Sequence, residues 1–137
     1  MIKAIRDYFL TCPFLAAGAA LGVDYLGNLK ISYSINVEPT NPTIRRYADG
    51  GALKAVNFSF SSREYYSSHA QENTDNIKFY EDLEAWIRSN NKSGIVPSLD
   101  GKTAQYVEVL TSGYLMDATS EDAQYVIQLR LIYEEEY

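Results

Sequence analysis

Hydrophobic residues recur along this chain at two different periods, and the switches between them divide it into elements. In "MIKAIRDYFLTC" Ile2, Ile5, Phe9 and Cys12 fall three and four apart with Tyr8 alongside. That spacing predicts one apolar stripe of a helix, which Pro13 ends. The period then shortens to two. In "LKISYSINVEP" Leu29, Ile31, Tyr33, Ile35 and Val37 alternate with Lys30, Ser32, Ser34, Asn36 and Glu38. A strand with one core face and one wet or contact face follows. "PTNPT" cannot extend it, because Pro39 and Pro42 lack the amide donor. A short edge segment over Ile44–Tyr47 precedes the turn residues "DGG" at 49–51.

"ALKAVNFSFSSREYY" at 52–66 predicts the next strand, with Val56, Phe58 and Phe60 inward and Asn57, Ser59 and Ser61 outward. The period lengthens again in "NTDNIKFYEDLEAWIRSNN". Ile77, Tyr80, Leu83, Trp86 and Ile87 make a helical stripe, Asn73 or Thr74 offers a cap, and "NNKSG" closes the helix. A loop at 95–101 ends in the turn pair Asp100-Gly101. "AQYVEVLTSGYLMDAT" predicts a strand through Leu110 that bends near Gly113 and continues to Met116. "YVIQLRLIYEEEY" closes the chain with Tyr125, Ile127, Leu129, Leu131 and Tyr133 on one side. The expectation is an α+β domain over 1–137: an antiparallel or mixed sheet of about four to five strands with two helices on one face. The small-residue run after Pro13 reads as a packed connector.

Composition narrows the function. The net charge of −6 argues against sequence-independent nucleic-acid binding, which needs clustered Lys and Arg. Residues 1–71 carry 7 Lys/Arg and 5 Asp/Glu, whereas residues 72–137 carry 5 and 13, so the two halves are +2 and −8. Unlike halves suit attraction between neighbouring copies. Tyr outnumbers Phe twelve to five, and a ring with a polar tip suits partly covered surfaces as well as strands. The single cysteine, Cys12, excludes an internal disulfide and fits a reducing cytoplasm. The apolar stretch "PFLAAGAALGV" is too short to span a bilayer, and Asp7 and Pro13 interrupt its likeness to a signal peptide.

Candidate chemistry is sparse. His69, the sole histidine, lies in the polar stretch "YYSSHAQEN" and reads as a loop residue; a small hydrolase or transferase using it is the enzymatic alternative. Glu81, Asp82 and Glu84 read as the wet face of a helix rather than an acid–base pair. No phosphate-binding or dinucleotide-binding glycine pattern occurs. The expectation is therefore a protein with no catalytic residues, no metal and no cofactor. Glu134, Glu135 and Glu136 read as a solvated end that stops further strand pairing, or as an acidic contact surface.

Several segments together resemble a known family. "LKISYSINVEP", "NFSFSSREYYS", the helix "NIKFYEDLEAWI" and the closing "YVEVLTSGYLMDATSEDAQYVIQLRLIYE" are laid out like the minor capsid or tail-terminator proteins of phages of Gram-positive bacteria. Phage-derived contractile particles encode similar proteins. The resemblance covers nearly the whole chain and implies a ring, typically of six copies, that caps the tail tube and stops its growth. It also implies a docking surface for the neck or head, or for the last sheath ring, and a life in the host bacterial cytoplasm before incorporation into a virion or tail-like particle. Another head–tail connector or a tube-like protein is the structural alternative. The assembly contacts are expected on the polar strand faces and the segment after one of them: Ser32, Ser34, Asn36, Arg63, Tyr65 and Tyr66, with Glu134, Glu135 and Glu136 at the closing strand.

Overall fold

A computed structural model describes residues 1–15, 21–23, 32–38, 43–48, 50–65, 70–118 and 122–135. The first stripe forms helix α1, Ile2–Leu10, which buries Ile5, Tyr8 and Phe9. The Thr11 hydroxyl donates to the Tyr8 carbonyl at 2.6 Å and closes the helix just before Pro13. Cys12 continues the buried stripe.

Strand β1, Leu21–Val23, lies inside the small-residue run where the sequence predicts a connector. Three residues with a central glycine carry no readable alternation. The strand is held by its surroundings: Leu21 pairs with Tyr33 in parallel register, and Arg6 Nε donates to the Leu21 carbonyl at 3.0 Å. Strand β2, Ser32–Glu38, runs antiparallel to β4, Ala52–Tyr65; β3, Thr43–Arg46, pairs with the start of β4. Strands β5, Lys102–Ala118, and β6, Asp122–Glu135, complete a six-stranded sheet with the path β1-β2-β4-β6-β5. The sheet is mixed, and β1 takes it one strand beyond the expected range.

The period-two pattern sets the core. Phe58 and Phe60 of β4 stand beside Leu129 and Ile127 of β6 on one face, all buried. Phe9 packs against Phe60 with ring centroids 5.2 Å apart, and Tyr80 of α2, Ala70–Lys92, packs against Tyr125 at 6.0 Å. Both helices therefore cover the same face. Val37 departs from the expected inward set: it is exposed near the end of β2. Leu29 and Ile31 lie outside the described residues.

Helix α2 begins earlier than its capping signals suggest, so Asn73 and Thr74 fall inside it. Ile77, expected in the core stripe, is 49% exposed, whereas Tyr80, Leu83 and Ile87 are buried. Trp86 is half-buried and packs its ring 5.0 Å from that of Tyr8. At the C-terminal end Gly94 adopts φ +73°. The Ile95 amide reaches the Asn90 carbonyl at 2.8 Å and the Gly94 amide reaches the Asn91 carbonyl at 3.3 Å. This pair of bonds is a Schellman closure, which needs the left-handed conformation glycine adopts without penalty. "NNKSG" thus ends the helix as its residues imply. Among the described residues, no helix is long and apolar enough to cross a membrane.

Candidate assembly surface

The face of the sheet opposite the helices is built from the alternate residues of the same strands. Ser34, Asn36, Ser59, Ser61, Gln128 and Arg130 lie here by register. The sequence places an open polar contact face at this position, and the structure alters that picture. Ser34 is fully buried, and Ser59 and Ser61 are nearly so. Their hydroxyls are engaged internally: Ser34 Oγ donates to Asn36 Oδ1 at 3.0 Å, and Asn36 Nδ2 donates to Ser61 Oγ at 3.1 Å. Asn36, half-buried, remains at the rim of a depression of about 210 Å³ that Ser59, Ser61, Tyr114, Met116 and Gln128 also line.

Other expected contact residues are dispersed. Arg63 is half-buried near the far end of β4, between Ser32 and Gln124 in register. Ser32 and Tyr65 are placed by backbone register alone, while Tyr66, His69 and Glu136 lie outside the described residues. Glu134 and Glu135 are not a tail. They are the last residues of β6, paired with β4 on one side and β5 on the other. Tyr47 Oη donates to Glu134 Oε1 at 3.2 Å, and Lys54 Nζ meets Glu135 Oε2 at 3.2 Å. Lys54 answers the Glu135 charge across the strands, and both carboxylates stand on the paired end of β6.

A surface the sequence reading missed runs along the edge strand β5. Tyr106, Leu110 and Leu115 are exposed, with Tyr114 at 42% and Met116 at 59%. The strand loses its alternation here because its register to β6 shifts between Val109 and Thr111, between Thr111 and Tyr114, and between Leu115 and Asp117. Such bulges re-aim side chains and bend the strand. The sequence signal was the failure of alternation in "VLTSGYLM", where apolar residues cluster in a segment that still reads as strand. Gln128 Nε2 approaches Tyr114 Oη at 3.4 Å, which joins this apolar edge to the polar depression. On the same face Arg130 Nε donates to Glu108 Oε2 at 3.0 Å, tying β6 to β5.

Ionisable groups elsewhere serve the fold. Lys78 pairs with Asp82 along α2, where Glu81 is exposed, whereas Glu84, expected on the wet face, is largely covered and paired with Arg88. Burial is the main force raising the Cys12 thiol above its ordinary value, with backbone hydrogen bonds from Phe14 and Leu15 opposing it. Burial likewise raises the Tyr8 phenol, against a hydrogen bond from Asn90. Comparison with known proteins returns neither a matching family model nor a matching curated sequence.

Proposed function

We propose that this protein is a structural assembly subunit, a tail terminator of a phage or phage-derived contractile particle. In this reading copies of the chain close a ring on the finished tail tube, stop its polymerisation and present a docking surface to the neck or head, or to the last sheath ring. The observation that carries the reading is the exposed apolar run Leu110, Tyr114, Leu115 and Met116 on the edge strand, beside the polar depression of the helix-free face. Large apolar side chains clustered at the margin of a sheet, with hydrogen-bonding groups alongside, have the make-up of a surface that is covered in an assembly. The family layout described above supplies the kind of assembly. The opposite net charges of the two halves of the chain fit a head-to-tail contact, in which different patches meet and rotation closes a ring.

The test is to assemble particles with and without this protein and image them by electron microscopy. Loss of length control, or tails that never join their heads, is the expected result. Tails of normal length and normal attachment in its absence would reject the terminator role. A protein that polymerises into long tubes on its own would instead be a tube subunit, the alternative reading.

A further inference from the structure

We propose that Asn91 is an internal strand mimic that closes the edge of β5 against strand addition by a second copy of this chain. The inference concerns the edge alone and stands whether or not the protein caps a tail tube.

The starting point is Val107. In an antiparallel ladder, each residue directs its backbone N–H and C=O either both toward its partner strand or both away. Val107 stands opposite Leu131 of β6, but its two backbone groups are bonded elsewhere. The Val107 N–H donates to Asn91 Oδ1 at 3.1 Å, and Asn91 Nδ2 donates to the Val107 carbonyl at 2.8 Å. Both groups therefore point outward from the sheet, and one side chain takes both. A primary amide presents a carbonyl and an N–H in one plane, as a peptide does. Asn91 makes the two bonds a residue on an added strand would make.

The surroundings hold it in that position. Asn91 sits in the last turn of α2, fixed by the Schellman closure at Gly94. The preceding residue anchors the same turn to α1, since Asn90 Nδ2 donates to the Tyr8 hydroxyl at 3.2 Å. The location along β5 also matters. Register shifts interrupt the strand between Ala104 and Tyr106, and again from Val109 onward. Tyr106–Val109 is its longest unbroken stretch in register, and Val107 lies within it. Bulges spoil the rest of the edge as a template for another strand, and Asn91 occupies the part they leave regular.

The strand excluded is that of a second copy. An antiparallel pair of identical Tyr106–Val109 segments is self-complementary about a two-fold axis, so every copy carries both halves of the contact. Exposed Tyr106, which opens the segment, and Leu110, which follows it, would add apolar area to the contact. An edge of this kind left open is an association hazard.

A merely tethering Asn91, holding α2 to β5, predicts lost stability without new association; the experiment separates the two roles. Sedimentation velocity over a concentration series compares wild type, Asn91→Ala, Asn91→Asp, Tyr106→Lys and Asn91→Ala/Tyr106→Lys, with hydrogen exchange read at the Val107 amide. Asn91→Ala should speed that exchange by about tenfold or more at low concentration. It should also produce species larger than any wild type forms. Tyr106→Lys, a charge placed on the edge, should remove those species from the double variant. Asn91→Asp keeps the acceptor for the Val107 N–H and loses the donor to its carbonyl, so it is the folded comparison if Asn91→Ala is too unstable. Association in Asn91→Asp that Tyr106→Lys abolishes carries the same meaning. Folded Asn91 variants that sediment as wild type at every concentration would overturn the proposal, as would association that Tyr106→Lys leaves untouched.

Discussion

Gly113 lies directly against the ring of Tyr80: a Cβ at Gly113 would stand 2.4 Å from Tyr80 Cγ and 2.5 Å from its Cβ. Tyr80 is buried between α2 and the sheet, and its ring also packs edge-on to Phe60. The helix reaches β5 at this closeness because one strand position lacks a side chain. The near atoms belong to the root of the tyrosine, which cannot swing aside as a chain end would. Gly113→Ala should therefore destabilise the fold by about 1–3 kcal/mol, the usual cost of overpacking. An unchanged urea midpoint would mean that α2 moves freely over this strand.

The hydroxyl of the same tyrosine makes a second, separable contribution. Tyr80 Oη donates to the Tyr125 carbonyl at 3.2 Å, and Ser62 Oγ lies 2.5 Å from Tyr80 Oη. Either hydroxyl can be the donor in the Ser62–Tyr80 contact. Tyr80→Phe leaves fully buried Ser62 without this partner and should cost about 1–3 kcal/mol. Adding Ser62→Ala should recover much of the loss, because removing both polar groups together is nearly neutral. Additive losses in that double-mutant cycle would show that the two hydroxyls are not coupled.

The elements were legible where side-chain period and burial coincide. Phe58, Phe60, Ile127 and Leu129 alternate in sequence and face the helices in the structure. The assembly surface was less legible, for two physical reasons. Ser34 and Ser61 alternate outward as read, but the sequence gives no sign that both would be buried with their hydroxyls bonded to Asn36. The bulges of β5 erase the very periodicity that would place Tyr114 and Met116 on a face. The pairing of Glu134 and Glu135 within the sheet was not legible, because their partners, Tyr47 and Lys54, are more than eighty residues away in the chain.

Trp86 packs against Tyr8 and Phe9 across the two helices, at 5.0 and 6.0 Å between centroids. It is an aromatic link between α1 and α2, yet only half-buried. Trp86→Ala should fall toward the lower end of the range of about 3–5 kcal/mol for full truncation of a large aromatic. Thermal melting checks this. A melting temperature unchanged from wild type would show that the helices do not depend on each other through this ring.

Stability should be sensitive to alkaline pH. Burial raises the folded-state values of Tyr8 and Cys12 above their ordinary 10.0 and 9.0, so folding favours their protonated forms. Their contribution is complete below the unfolded values and is lost as pH rises through the folded ones. Urea midpoints should hold from neutral pH to about 9.0, where the Cys12 contribution begins to fade, and fall further beyond 10.0 as Tyr8 joins it. Cys12→Ala should delay the onset of the decline to the tyrosine range. A decline that starts at the same pH in both proteins would assign the effect to other groups.

The assembly reading is tested most sharply on β5. Expected contacts at Arg63 and Tyr66 motivate Arg63→Glu with Tyr66→Ala, a pair whose loss should give uncontrolled tails while the fold survives. The exposed edge supplies a cleaner pair. Tyr114 and Met116 are large, solvent-facing and beside the depression at Asn36, so Tyr114→Asp with Met116→Asp adds two charges where an apolar partner surface would have to lose its water. Exposed positions tolerate substitution to within about 0.5 kcal/mol, so the melting temperature should stay close to wild type. Ile77→Asp provides the control, because Ile77 is comparably exposed but sits on α2, across the sheet from the depression. The β5 pair should abolish ring formation and length control, and the α2 variant should leave both intact. Normal particles built from Tyr114→Asp/Met116→Asp would remove this edge from the interface. Equal failure of Ile77→Asp would trace the defect to added charge, whatever the surface.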